Sequence, residues 1–325
     1  MIKLVKVTYK IFFLFLIFMF MTQCVTVKED KYLSLGNQFA RDGLYREALD
    51  SYTRAYKKNP NSSVVLKNLG SVLIHLGSYK KGVSLLQKAL PPYQKSFEIH
   101  FLLAEGHRAL SNYSKAIYYY QKSLELNKKS RNSLRGLAWS YYNISYYSQA
   151  LKTAKKLRSL YSNDFDGVII LSRILLKLER YKSVYKLTQK TLRSKLKQNL
   201  KGRNYLHSIQ AEALYALGQF SKAKELFKKS LRYDPLLVSA LVGLSKCLIK
   251  ENKSEKAIEY LEKALRLKPD MKEIYLLLAK NYEKKNIKKS LYYYRSFYRM
   301  IDTDPEYLSS LRRIRSKIFN LKKGA

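Results

Sequence analysis

The stretch 32-YLSLGNQFARDGLYREALDSYTRAYKKNP-60 decides the fold. Tyr32, Leu35, Gly36 and Phe39 recur at helical spacing, as do Ala48, Tyr52 and Ala55, and Pro60 closes the segment. Apolar residues at i, i+3, i+4 and i+7 line one face of a helix, and proline cannot continue one. The stretch therefore reads as two short helices joined by a turn. The small Gly36 and Ala48 let the two helices approach closely, and Tyr45 plugs the turn between them.

Working outward, the same pattern returns along the chain. A small residue stands at Gly36, Gly70, Ala104, Ala138, Ser172, Ala211, Ser245 and Ala279, at intervals of 34 except for a single 39 between Ser172 and Ala211. A second series, Ala48, Gly82, Ala116, Ala150, Val184, Ala223, Ala257 and Ser290, keeps step apart from a final interval of 33. An aromatic series runs Tyr45, Tyr79, Tyr113, Tyr147, Tyr181 and Phe220. Three series that share one period and slip at one place establish a repeat.

A 34-residue period with these residue types resembles the tetratricopeptide repeat, a helix–turn–helix unit. The resemblance implies an all-α fold: a right-handed α-solenoid of about eight repeats with a C-terminal capping helix. Repeats one to five occupy 29–198 and repeats six to eight 204–302, with 303–325 as capping helix and tail. Glu306 to Leu321 places Tyr307, Leu308, Leu311, Ile314 and Ile318 on one face, as needed to cover a solenoid's last hydrophobic edge. In the fifth repeat Val184 and Thr188 replace the expected alanine and aromatic. The slip adds residues 199–203, NLKGR, which read as a tolerated surface insertion, as a longer helix plus loop, or as a hinge between repeats one to five and six to eight.

Composition agrees. Hydrophobic residues make up 46% and aromatics 13% of 325 residues, with 12 Gly and 6 Pro. There is ample material for a core, and few of the turn residues that an all-β fold needs. The net charge of +39, from 63 Lys+Arg against 24 Asp+Glu, bears on partners rather than fold. Nucleic acid, an anionic membrane or wall surface, and a lysine-rich genome would each account for it.

The N-terminus reads as an address. Lys3, Lys6 and Lys10 precede an unbroken apolar run, Ile11 to Met21, the n-region and h-region of a secretory signal. Eleven residues cover only ~16 Å of helix against a hydrocarbon core of ~30 Å, so residues 1–23 are expected to be a cleaved signal peptide. Cys24 directly afterwards resembles the lipid-attachment cysteine of bacterial lipoproteins, although Gln23 and Met21 stand where that signal carries a small residue and usually leucine. The expectation is an exported, membrane-anchored envelope protein whose tether, 24–28, reaches ~14–18 Å at most.

Catalytic motifs are missing. The sequence contains no G-x-S-x-G, H-E-x-x-H, C-x-x-C or P-loop pattern, and His75, His100, His107 and His207 lack metal-ligand spacing. No active site, metal or cofactor is expected, and Cys247 reads as packing.

In the family that the repeat resembles, first helices line a concave groove and second helices face outward. The resemblance then places Phe101, Arg108, Arg135, Tyr142, Ile169, Arg173, Tyr205, Ile209 and Tyr215 in the groove, an aromatic and apolar strip with three arginines of the kind binding hot spots use. About a third of such groove-register residues are expected to pack between repeats instead. Much of the lysine excess, Lys152, Lys155 and Lys156 among it, falls on second helices. The expected function is a scaffold or assembly factor of the bacterial envelope that holds a peptide or helix of a partner protein, with convex lysines attracted to anionic membrane. Envelope assembly lipoproteins and pilotins are built in this way. The alternative is a polyanion or nucleic-acid binder using the basic convex face; export and an apolar groove argue against nucleic acid.

Overall fold

The computed structural model describes residues 31–193, 200–301 and 308–323. The signal peptide, the tether with Cys24, and Asn199 and Tyr307 lie outside the described residues. Among the described residues there are seventeen α-helices and no strand. They are α1 Lys31–Arg41, α2 Tyr45–Lys58, α3 Ser63–His75, α4 Tyr79–Ala89, α5 Phe97–Ala109, α6 Tyr113–Leu126, α7 Arg131–Asn143, α8 Tyr147–Leu160, α9 Phe165–Lys177, α10 Tyr181–Arg193, α11 Leu200–Ala216, α12 Phe220–Tyr233, α13 Val238–Lys250, α14 Ser254–Leu267, α15 Lys272–Tyr282, α16 Ile287–Ile301 and α17 Leu308–Lys323. Eight helix pairs and a final helix form an all-α repeat solenoid. Two compact units are defined, one ending at Ser140 and the other beginning at Tyr141.

The turn inside each repeat has a backbone cause. Gly43, Gly77 and Gly218 sit at φ of +75°, +81° and +77°, and Ser111, Ser145, Glu179 and Asn252 take the same left-handed conformation at +56° to +62°. These residues follow the same 34-residue period. After each, an amide bonds back to a carbonyl five residues earlier, as in Ser78 N to Leu73 O at 2.8 Å and Arg180 N to Leu175 O at 2.8 Å. This is the Schellman motif, which satisfies the orphan carbonyls of a helix end. The aromatic series follows at once: Tyr45, Tyr79, Tyr113, Tyr147, Tyr181 and Phe220 are the first residues of their helices. Second helices stop before Pro60, Pro235 and Pro269.

Both small-residue series are core. Ala48, Ala104, Ala116, Ala211 and Ala257 have no exposed surface, and neither has Val184, the fifth repeat's substitute. A Cβ added at Gly82 would lie 3.0 Å from the Gly70 carbonyl oxygen, so the first and second helices meet backbone to backbone there. Between repeats the packing is aromatic into glycine. Tyr120 of α6 lies against Gly136 of α7 in the first unit, and Phe227 of α12 against Gly243 of α13 in the second. Thr188, where an aromatic is expected, is fully buried and donates its hydroxyl to Val184 O at 2.8 Å.

The slip resolves as extra helix. First helices α3, α5, α7, α9 and α13 each have 13 residues, whereas α11 has 17. Residues 200–203 form the first turn of α11, and Gly202 lies against Phe165. At the other end α17 packs Ile314, with Leu311, Ile318 and Leu321, onto Ala279, Tyr294, Phe297 and Ile301. That is the covering of the last edge which the sequence calls for.

Candidate protein-binding groove

Helical geometry decides which side chains reach the open face. At about 100° per residue, the positions six and three before the small residue, and one and four after it, point into one arc roughly 40–120° away from it. In the second unit this arc supplies a cleft of about 750 Å³. Its walls include Arg173 of α9, Tyr205, Glu212 and Tyr215 of α11, Lys246 of α13 and Glu273 of α15. Each of Arg173, Glu212 and Lys246 directly follows a buried small residue: Ser172, Ala211 and Ser245.

The polar groups form a ladder of alternating sign. Arg173 Nη1 donates to both Glu212 oxygens, at 3.0 and 2.8 Å, and its guanidinium stands 5.3 Å from the Tyr205 ring centroid. Lys246 pairs with Glu273. Burial opposes the Arg173 charge, but Glu212, Tyr205 and Tyr142 outweigh it and raise its pKa. Burial pushes the Glu212 carboxyl up, against the pull of Arg173 and Lys246. Tyr215 is half-buried and meets Phe220 edge-on at 5.0 Å. Tyr142 meets Tyr147 in the same way at 5.8 Å, and burial raises its phenol pKa. Ile169 is half-buried.

The first unit carries a related cluster on α5. Arg108 pairs with Glu105 at 2.7 Å and donates from Nε to the Tyr120 hydroxyl at 3.1 Å. That hydroxyl in turn donates to Glu105. The Glu105 contact raises the Arg108 pKa despite burial. The Phe101 ring lies 6.4 Å from Tyr120. Arg135, half-buried on α7, donates to Asn132 at 3.0 Å.

Three expectations change. Ile209 has no exposed surface: two places before Ala211 it points about 160° from the small residue, into the register where Gly136 and Gly243 meet the preceding repeat. Ile170 is buried in the same register. Arg108 and Arg173 are not free cations awaiting a partner's carboxylates, because Glu105 and Glu212 hold them. In the second unit the strip is therefore a ladder of both signs with tyrosine sides, not an apolar band with arginines. Sequence reasoning passed over Glu105, Glu212, Lys246 and Glu273. For the first three the signal was present in the position after each small residue, which reads Asn37, Ser71, Glu105, Trp139, Arg173, Glu212, Lys246 and Lys280, whereas Glu273 stands six before Ala279.

The fold and this face define a repeat solenoid of stacked helix pairs. Tetratricopeptide repeats are recognised within it: one model of that repeat matches residues 39–106 and 214–280, and a second matches 97–130. Among solved structures, a tetratricopeptide repeat protein from Parabacteroides merdae superposes with a TM-score of 0.64 at 17% identity, over 78% of this chain and 98% of that one. Yeast Tom70 gives 0.60 at 17% identity, over 87% of this chain and 60% of its own. Pseudomonas aeruginosa PilF gives 0.51 at 18% identity, over 67% and 97%. At such identities the likeness is one of fold. No curated protein matches the sequence. Tetratricopeptide folds commonly mediate protein–protein interaction, typically by binding protein or peptide partners, and such proteins are generally non-enzymatic scaffolds.

Proposed function

We propose that the chain is an exported scaffold, tethered to a membrane of the bacterial envelope through Cys24, that holds a segment of a partner protein in the cleft of its second unit. The observation that carries this reading is the 750 Å³ cleft with its Arg173–Glu212 and Lys246–Glu273 rungs between tyrosines. Its size suits several side chains of a peptide or helix. Its rungs are satisfied before a ligand arrives, so affinity comes from apolar and aromatic anchoring on Tyr205 and Tyr215, and the rungs select register. Among the described residues no helix is long and apolar enough to cross a membrane. The tether reading rests on the order of Lys3–Lys10, Ile11–Met21 and Cys24.

Two experiments test it. Intact-mass analysis of membrane-extracted protein is expected to show a chain that begins at Cys24 with added acyl mass. A chain retaining Met1, or cleaved elsewhere without lipid, refutes the anchor. For the cleft, partners are cross-linked and co-purified from detergent-solubilised envelopes. Tyr205→Ala with Tyr215→Ala is expected to lose the partner at any salt, at about 1–2 kcal/mol or more per anchor. Changing the exposed Lys152, Lys155 and Lys156 to Gln is expected to keep the partner and weaken binding to anionic vesicles at low salt only. Loss of the partner in the lysine variant alone refutes the cleft reading in favour of a polyanion-binding convex face.

A further inference from the structure

The second unit holds another cavity, of about 610 Å³, that shares no lining residue with the cleft. It lies between second helices α10 and α12 and the reverse side of first helix α11. Four cations surround it: Arg193, Arg203, Lys222 and Lys229. Among the described residues none of the four has a carboxylate partner. The one acid in the wall, Glu225, accepts from Lys228 at 3.2 Å. Unpaired like charges around one cavity repel, and that repulsion is relieved by a multivalent anion.

The interior departs from the repeat pattern in the same place. In the position before the small residue, seven repeats carry leucine, such as Leu171 and Leu244; here it is Gln210. Three residues earlier the flanking repeats carry Val168 and Leu241; here it is His207, a residue type that this register repeats only at His100. Both residues are 6% exposed and line the cavity; His207 Nδ1 is buried without a hydrogen-bond partner, and the Gln210 side chain makes no hydrogen bond among the described residues. Buried polar groups without partners cost about 1–3 kcal/mol each. One such atom, His207 Nδ1, beside the Gln210 amide that stands where the other seven repeats carry leucine, marks a place prepared for a ligand's polar atoms. Arg203 comes from the added stretch, whose residues 200–203 form the first turn of α11. The insertion, the two polar replacements and the unpaired cations thus converge on one cavity.

We propose that this cavity binds an organic phosphate. The half-buried Arg203 and Lys229 take the phosphate, His207 and Gln210 hydrogen-bond to it or to its polar neighbour, and Tyr185, Leu214 and Leu226 accept the apolar part. A singly charged carboxylate leaves most of the four positive charges uncompensated, whereas a phosphate ester or diphosphate does not, and arginine forks match phosphate oxygens. The cavity is far larger than a bare phosphate, hence the organic moiety. Burial, with Lys229 and Arg203, already holds the imidazole neutral to about pH 4. A bound dianion offsets the two cations, so binding favours the protonated imidazole.

The test uses the full chain in non-ionic detergent. Calorimetric titration with pyrophosphate and with ATP reads the soluble source. Flotation with phosphatidylcholine vesicles, with and without phosphatidylglycerol, reads the lipid-headgroup source. Saturation at one ligand per chain is expected, weakened roughly tenfold or more by Arg203→Gln with Lys229→Gln and less than twofold by Lys152→Gln with Lys155→Gln. Loss confined to flotation assigns the phosphate to a lipid, and loss confined to the titrations to a soluble ligand. His207→Leu with Gln210→Leu restores the apolar register; it is expected to fold at least as stably and still lose binding. Equal weakening in the lysine control, several ligands per chain, or no binding by any probe overturns the proposal.

Discussion

Arg173 and Glu212 offer a test of the cleft that does not require the partner. The perturbation is a cycle: Arg173→Met, Glu212→Met, and both together. At 2.8 Å and an effective dielectric of about 20, the gross attraction is roughly 6 kcal/mol, most of which desolvation of the two ions offsets. Breaking a fully buried pair typically costs about 3–5 kcal/mol. Here the side chains keep 17% and 29% of their exposure, so about 2 kcal/mol per single variant is the expected loss. The Glu212 variant leaves the guanidinium with no carboxylate, facing Tyr142 and the Tyr205 ring at 5.3 Å. The double variant removes both charges and fills the space with apolar atoms, so it is expected within about 1 kcal/mol of the native chain. Urea unfolding of the full chain followed by far-ultraviolet circular dichroism measures all four. Additive losses in the double variant, or singles that each cost under about 0.5 kcal/mol, would refute the claim that the two are one unit.

Other expectations follow from single residues. Ala116, fully buried in α6, has no room for leucine, so Ala116→Leu is expected to lower stability by about 1–3 kcal/mol; an unmoved unfolding midpoint would refute the repeat register. Glu179 stands at φ +56°, where glycine is at ease, so Glu179→Gly is expected to stabilise by up to about 1 kcal/mol in the same assay, and a loss would refute the Schellman reading. His207 has its pKa lowered to about 4 from 6.5, by burial first and then Lys229 and Arg203. The unfolded chain therefore takes up the proton first as pH falls from about 6.5 to 4, and the native state loses up to about 3 kcal/mol across that window. His207→Gln is expected to flatten this part of the profile, in phosphate-free buffer, and an unchanged slope would place the titration elsewhere.

Most of the fold was legible because each repeat poses the same local problem. Gly36 and Ala48, Tyr45 and Pro60 each have a local cause, and the cause recurs every 34 residues. Even the irregular fifth repeat holds, because Val184 is small enough to be buried and Thr188 bonds its own helix. The site was less legible, because its bonds join repeats. Arg173 meets Glu212 39 residues away, the interval that the insertion lengthened, and Lys246 meets Glu273 on the next first helix but one position class removed. Period analysis places each of these residues on the open face yet is silent on which will touch. Ile209 was misplaced by a smaller error: the two-before register is only about 40° beyond the arc, and that angle separates solvent from the neighbouring repeat.

The distribution of charge then divides the labour within the second unit. Its cleft is close to neutral, because Arg173 and Lys246 are each answered by an acid. The excess of a chain carrying +39 must therefore reside elsewhere, and the second helices carry much of it, as at Lys152, Lys155 and Lys156. Such exposed charge acts at range and fades with salt, which suits approach to an anionic surface and not the choice of a partner. A neutral, tyrosine-sided cleft acts only at contact and is indifferent to salt, which suits that choice. Around Arg203, His207 and Gln210 the two modes meet: the cations attract from a distance, and the buried polar groups discriminate on arrival. Ionic strength is accordingly the variable that separates the three sites, strongest at the lysines, intermediate at this cavity and weakest in the cleft.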